Sequence, residues 1–395
     1  MVCFLKHISP GRRVAFEVLG EVAGGAFASD ALREAGVKLP ARDAGLAGQI
    51  VFGSLRVQNQ LDYLIELYSG RAAESLDVPV RIALRAAIYQ IRYLERVPAH
   101  AAVNDSVEFV KSVKHAASGL ANAVLRKAGR EETAWPTESL RYGCPQWLLD
   151  RWTANFGHEQ ALQIASAALV EPERYVRIKP GTDVPDGMEV EPTEVAGCYR
   201  LLSPLFDSWR LHDISSQAIV PLLELQPGQS YLDVCAAPGN KTLQALETPL
   251  ELAVACDISE KRISTVPRVC QRVALDATQT LPFALKFQRI LIDAPCSGTG
   301  TLARNPEIKW RLQATDIPRF KYRQLSILHQ AVRQLCDDSL LVYATCSLEE
   351  EETRQVLAQT LTANPGFVCL REQWRLPGRE AGDGFYAAVL TRRSV

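Results

Sequence analysis

No two of the ten cysteines stand at Cys-x-x-Cys spacing, and none joins a Cys/His cluster. That pattern gives no zinc site, so no metal is expected. Apolar runs all stop short of the roughly 18 residues that a membrane-spanning helix requires. The opening "MVCFLKHISPGRR" lacks the three-part layout of a signal peptide. The expectation is a cytoplasmic protein without membrane attachment, its thiols reduced and most of them packed as small apolar side chains. Histidine is sparse, with His329 alone beyond position 212. The phosphate loop GxxxxGK[ST] is missing, although "GNKT" at 239–242 superficially resembles its end. Charge of one sign is not in excess either, since the net value is −1. Yet residues 1–130 hold 17 Lys and Arg against 12 Asp and Glu, so the front is mildly basic and the remainder acidic. A basic front suits an anionic partner such as RNA and equally suits an ordinary solvated helical surface.

What the chain does contain is arranged in blocks. With 395 residues it has room for two or three domains. From 10 to 130 the apolar spacing is helical throughout. Ile82, Ala86 and Tyr89 form one stripe; Val103, Val107 and Val110 form another, with Asn104 or Asp105 as the expected N-cap. "REETAWPTES" at 130–139 reads as a linker. Further helix follows, then "RYVRIKP", "GMEVEPTEV" and "CYRLL" read as short strands broken by Pro and Gly. Beyond 216, "SYLDV", "LAVAC", "FQRILID" and "LLVYATC" are short apolar β-type runs separated by helix-length segments. That alternation specifies a parallel sheet, with "FVCL" and "GFYAAVLTR" as a closing hairpin. The expected organisation is multidomain: an all-α domain over 1–135, a small α+β unit over 136–212 and a Rossmann-like α/β domain over 213–395.

The first strand of the α/β domain runs into "YLDVCAAPGNKT". Small residues at the carboxyl end of a first strand let a ligand approach the backbone, as doubly wound sheets do. Asp257 closes the next strand about 20 residues on, where a carboxylate accepts from ribose hydroxyls. Asp276 follows one strand later, placed for an adenine amino group. Acids at successive strand ends, with no phosphate loop, favour an adenosine ligand that carries no phosphate.

Two cysteines stand where apolar strands leave the interior, Cys296 in "LIDAPCSGTG" and Cys346 in "YATCSLEEEE". Read alone, each is a packing thiol or a nucleophile, and a Cys–His hydrolase using His329 is a further option. Together, "DVCAAPGNKT", "DAPCSGTGTLARNPEIKW", "YATCSLEEEE" and "DGFYAAVL" resemble the ordered motifs of the Sun (Fmu) family of RNA cytosine-C5 methyltransferases. The first 130 residues, with "YQIRYLERVPAHAAVNDSVE" and "GLANAVLRKA", resemble the helical NusB-like domain that precedes the catalytic part in the bacterial 16S ribosomal RNA enzymes. The resemblance spans nearly the whole chain.

That resemblance implies methylation of cytosine C5 in 16S ribosomal RNA, free or within a small-subunit particle, with S-adenosyl-L-methionine as methyl donor. It makes Cys346 the thiol that attacks C6, Cys296 the thiol linked to product release, and Asp293 the carboxylate on the cytosine edge. It assigns Cys235, Ala236, Ala237, Pro238, Gly239, Asn240 and Lys241 to the cofactor loop, joined by Asp257, Asp276 and Asp293. Arg304, Lys309 and Trp310 are implied RNA contacts. One departure is Asn240, where the family carries a second glycine; tolerance of positive φ by asparagine is the expected remedy. The run Glu349–Glu352 reads as a solvated start to the following helix. Two other readings stand beside this one: an inactive RNA-binding or ribosome-assembly factor, and a DNA cytosine methyltransferase using Cys296, whose usual "ENV" partner motif is absent. The oligomeric state is left open.

Overall fold

The computed structural model describes residues 7–36, 39–129, 132–205 and 209–393. These form two compact units. The first comprises Met1–Asp150, Ala168–Val170 and Ala303–Arg311; the second comprises Arg151–Ala167, Glu171–Leu302 and Leu312–Val395. The boundary at Asp150 falls later than the expected 135, and the short strands belong to the same unit as the large sheet. Arg130 and Glu131, the first two residues of the expected linker, lie outside the described residues.

The first unit is helical: α1 (Pro10–Ala23), α2 (Ala28–Gly36), α3 (Ala41–Arg56), α4 (Gln58–Ser69), α5 (Val78–Tyr93), α6 (Ala99–Lys114) and α7 (Ser118–Lys127), followed by the short α8 (Glu138–Arg141). Helix α5 buries ten side chains, including Ile82, Ala86 and Tyr89, so it runs through the middle of the bundle. Val103 and Val107 pack against the same core, and Val110 is fully enclosed.

Asp105 does not cap a helix start of its own. Helix α6 begins at Ala99 behind Pro98, which places Asp105 in its interior and buried. There its Oδ2 accepts from Arg12 Nη1 at 3.0 Å, from Ser9 Oγ at 2.9 Å and from Ser9 N at 3.2 Å. It therefore satisfies the first turn of α1 from a neighbouring helix. Arg12 is also fixed by Gln90 Oε1, which accepts from its Nε at 2.6 Å.

Helix α9 (Gln146–Phe156) carries the chain across the division at Asp150, and α10 (His158–Ala167) follows. Strands β1 (Tyr175–Arg177), β2 (Val190–Pro192) and β3 (Cys198–Leu201) form an antiparallel sheet with β3 in the centre. Short helices α11 (Ile214–Gln217), α12 (Asn240–Ala245) and α13 (Glu260–Ile263) accompany strands β4 (Ser230–Asp233), β5 (Leu252–Asp257), β6 (Gln271–Ala274) and β7 (Phe287–Asp293). After α14 (Ile308–Arg311) come α15 (Ile317–Arg333), β8 (Leu335–Thr345), α16 (Arg354–Ala363), β9 (Phe367–Arg375) and β10 (Phe385–Arg392).

The seven-stranded sheet has the order β6-β5-β4-β7-β8-β10-β9. Five strands are parallel, and β10 and β9 close the edge antiparallel. Leu341, Val342, Tyr343 and Ala344 of β8 are all fully buried, as a strand covered on both faces requires. Strand order reverses between β4 and β7, the switch point where open sheets of this kind hold ligands. Among the described residues no helix is long and apolar enough to cross a membrane.

Removing the Asp105 carboxylate leaves Arg12 charged, buried and short of a partner. Asp105→Ala is expected to lower unfolding stability by about 3 kcal/mol, measured by chemical denaturation; an unchanged midpoint would remove the ion pair from the fold's support.

Candidate active site

Five sequence segments converge at the carboxyl ends of β4, β5, β6, β7 and β8. They enclose a cavity of about 310 Å³, lined among others by Cys235, Ala237, Asp257, Asp276, Asp293, Cys296 and Cys346. Both thiols and all three acids singled out in the sequence thus face one space.

The loop after β4 is set from beneath. Asp233 is buried and accepts from Thr242 Oγ1 at 2.7 Å and from Tyr231 OH at 3.2 Å. Burial pushes its carboxyl up to about 6, against the opposing pull of the Thr242 hydroxyl. Gly239 precedes α12 with φ of 103°, and a Cβ there would stand 3.2 Å from Val266. This one glycine supplies the left-handed turn. Asn240 is the first residue of α12 and takes no positive φ, so the expected remedy is not needed; its Nδ2 donates to Leu211 O at 3.0 Å instead. Within the loop, Cys235 and Ala237 line the cavity, whereas Ala236, Pro238, Gly239 and Asn240 build the turn behind it. Lys241 is buried and reaches the site through its ammonium, which donates to Asp293 Oδ2 at 2.6 Å and lies 4.9 Å from the Phe385 ring centre.

Asp257 ends β5 almost fully enclosed; its Oδ1 accepts from Ser259 N at 3.0 Å, and Arg262 stands 3.2 Å from Oδ2. Asp276 accepts from Thr278 N at 3.0 Å and from Thr278 Oγ1 at 2.7 Å, which hold its carboxyl below the ordinary value. Leu275, Ala277 and Ile327 supply an apolar wall beside these carboxylates. An apolar slot with carboxylates at two adjacent strand ends fits an adenosine-bearing group, and the volume lies in the range of small-molecule sites, about 300–1,000 Å³.

The two sulfurs are 3.3 Å apart, Cys296 Sγ to Cys346 Sγ. The hydrogen bond to Cys296 and burial together raise the Cys346 thiol well above its ordinary value, with Lys241 pulling the other way. Their loops are locked by backbone. Gly300 N donates to Cys346 O at 2.8 Å, and Gly384 N donates to Gly300 O at 2.8 Å. A Cβ on Gly300 would sit 2.4 Å from Gly384 O and 2.7 Å from Cys346 O, so only glycine permits this approach.

Two expectations are corrected. Lys309 and Trp310, read as RNA contacts, turn into the helical unit. The Lys309 ammonium donates to Arg56 O at 2.8 Å and Gly143 O at 2.7 Å, and Trp310 Nε1 donates to Leu55 O at 2.6 Å. Two of these carbonyls, Leu55 and Arg56, lie in the last turn of α3, and burial pushes the Lys309 ammonium down to about 8. Arg304 is half-buried in the same segment. The acidic run is a solvated helix start only in part: Glu350 is exposed and Glu351 half-buried, whereas Glu349 and Glu352 are both fully buried. Glu349 accepts from Arg151 and Trp152, which offset its burial. His329, named above only as a further option, is exposed on α15 and does not line the cavity.

Sequence reading missed Arg262, Arg323, Ile327 and Phe385 among the lining residues. Arg323 and Ile327 are four apart on α15, a spacing that turns them to one side, but no pattern says that this side meets the sheet's carboxyl edge.

The Rossmann-like sheet with a ligand cavity at its switch point, and the helical bundle before it, match two families that define the class: a methyltransferase with a NusB-like domain. The family 16S rRNA methyltransferase RsmB/F matches residues 220–391, and the NusB family matches residues 9–130. Ribosomal RNA small subunit methyltransferase B of Shigella sonnei (strain Ss046) is 33% identical over 401 residues, covering 90% of this chain and 92% of that protein. The protein of the same name from Escherichia coli O157:H7 gives the same figures. The chain belongs to the RsmB/F family of ribosomal RNA methyltransferases. Among solved structures, that of PH0851 matches with a TM-score of 0.80 at 21% identity, covering 98% of this chain and 99% of the other. The structure of NSun6 from Pyrococcus horikoshii with SFG matches with a TM-score of 0.54 at 16% identity, over 64% of this chain and 99% of that one. Both are likenesses of fold.

The shifted Asp233 carboxyl gives a test of how the loop is built. Its folded value lies above the unfolded one, so its contribution to stability is complete at low pH and is lost as pH rises through about 6. Asp233→Asn has no such loss. Relative to wild type, the variant is expected to gain about 1 kcal/mol between pH 5 and pH 8, measured by chemical denaturation at both values. A pH-independent difference would mean that Asp233 ionises without penalty.

Proposed function

We propose that this protein methylates C5 of a cytosine in 16S ribosomal RNA in the cytoplasm, with Cys346 as the transient covalent nucleophile. S-adenosylmethionine supplies an electrophilic methyl group on its sulfonium. The observation that carries the reading is the pair of sulfurs 3.3 Å apart, lining the cavity that also holds the three acids.

Cytosine C5 is a weak nucleophile. Addition of the Cys346 sulfur to C6 breaks the C5–C6 double bond and leaves electron density at C5, which takes the methyl group. Transfer of the C5 proton to water acting as base and expulsion of Cys346, with return of the N3 proton to Asp293, restore the ring. The raised Cys346 value means that the resting side chain is a thiol, so its proton passes to Asp293 as the sulfur adds to C6, and from there to N3. Lys241 is the cation placed to favour the thiolate and, through its 2.6 Å bond, to fix Asp293 for the cytosine edge, assisting protonation at N3. Cys296, alongside Cys346, serves release. Asp257 takes the ribose hydroxyls and Asp276 the adenine.

The target base must leave its stack to admit a thiol to one face, so the substrate is a flipped or single-stranded cytosine. The mildly basic first 130 residues, with Arg304, hold the flanking RNA by charge and shape. The free 16S RNA and a small-subunit particle are both substrates of the right chemistry.

Cys346→Ala is expected to abolish methyl transfer, and Cys296→Ala to accumulate a protein–RNA adduct that survives denaturing electrophoresis. Near-normal turnover by Cys346→Ala sinks the assignment. Bisulfite mapping of small-subunit RNA from cells with and without the gene identifies the target as one cytosine that becomes convertible. An unchanged map points instead to an RNA-binding assembly factor or another RNA.

A further inference from the structure

Glu352 is fully buried, yet none of the ion pairs among the described residues includes it. A carboxylate in that position is costly unless donors surround it. The donors it has are specific. Its Oε2 accepts from Ser297 N at 2.9 Å and from Gln324 Nε2 at 3.0 Å, and its Oε1 accepts from Ser347 Oγ at 2.7 Å. Ser297 follows Cys296, and Ser347 follows Cys346. One carboxylate therefore grips the residue after each thiol.

The grip is reinforced on both sides. Ser297 Oγ and Ser347 Oγ are 3.0 Å apart, and Glu349 N donates to Ser347 Oγ at 3.1 Å. Glu352 is itself anchored, since its backbone carbonyl accepts from Tyr343 OH at 2.6 Å, and Tyr343 lies buried in β8. Gln324 ties the side-chain Oε2 to α15 and also donates to Pro295 O at 3.1 Å, just before Cys296. Burial raises the Glu352 carboxyl, and the Ser297, Ser347 and Gln324 donors oppose that rise. Nothing in a solvated helix cap would need this arrangement.

We infer that Glu352 is a positioning residue whose carboxylate sets the attacking and releasing thiols side by side. The inference rests on the proposed roles of the two cysteines. It does not make Glu352 a catalytic residue, because the carboxylate touches neither sulfur; it acts through the two serines. Loosening it lets the thiol loops drift independently while the acids of the cofactor slot, on other strands, stay in place.

The test uses the full-length enzyme and two readouts. In steady-state methyl transfer to 16S RNA, Glu352→Ala is expected to lose about 100-fold in kcat, as a misplacement near 1 Å does, with both KM values within about twofold. Glu352→Gln keeps an acceptor for Ser297 N and Gln324 and a donor for Ser347 Oγ, and is expected to stay within about fivefold of wild type. The second readout needs neither RNA nor methyl donor. Diamide takes two protons and two electrons from neighbouring thiols, leaving a disulfide and the reduced hydrazine. Bridging of Cys296 to Cys346, followed by mass spectrometry, is expected to slow about tenfold in Glu352→Ala and little in Glu352→Gln.

Should Glu352→Ala fail to fold, Ser347→Ala removes one link of the grip and is expected to slow both readouts in the same direction. Bridging as fast as wild type overturns the inference, and so does normal kcat in a folded variant. If wild type transfers no methyl group at all, the proposed function fails, while the bridging rate still decides whether Glu352 holds the thiols together.

Discussion

The contact on which the site depends is backbone against backbone, where Gly300 lies between Gly384 and Cys346. Both of its polar groups are used, one toward each neighbour at 2.8 Å, and a single added carbon would collide with both carbonyls. This contact brings three distant stretches of chain together: the loop beyond β7, the loop beyond β8 and the start of β10. The thiols meet beside it, where the Glu352 carboxylate links the same two loops. A parallel strand order alone places β7 and β8 side by side but leaves their outgoing loops free to diverge.

Above that clamp, the site divides into two halves with different physics. The half beneath β4, β5 and β6 is apolar and slot-like, with carboxylates held by neighbouring backbone and hydroxyl groups. The half above β7 and β8 is a small polar network around sulfur, in which Lys241, Asp293 and the thiols influence one another across a few ångströms. Burial works against ionisation in this second half, so its carboxylates are matched to donors: Lys241 for Asp293, and Ser297, Ser347 and Gln324 for Glu352. The buried Asp233 joins the halves, since it holds the loop that separates them.

Much of this was legible in the amino-acid order. Alternation of short apolar runs with helix-length segments gave the parallel sheet because strands buried on both faces cannot be polar. Cys296, Cys346 and the acids at 257, 276 and 293 were each visible where an apolar run ends, which is where a parallel sheet opens to ligands. Lys309, Trp310 and two of the four glutamates, Glu349 and Glu352, were misread for a common reason. Charged and aromatic residues in a loop look like surface until the chain is seen to fold back, and then their value lies in meeting unpaired backbone groups. Asp105 shows the same effect within a helix, where local spacing indicates a cap but the partner is Arg12, 93 residues away in sequence. Arg323 and Phe385 entered the cavity through tertiary packing that no local pattern encodes.

The central claim is that the sulfur at position 346, and not the one beside it, bonds to the pyrimidine. RNA carrying 5-fluorocytosine at the target tests it directly, because fluorine at C5 prevents the proton loss that frees the enzyme. Digestion of the resulting adduct and tandem mass spectrometry should place the nucleotide on Cys346 of the wild-type protein. A nucleotide found on Cys296, or no adduct with RNA that the enzyme otherwise methylates, would contradict the account.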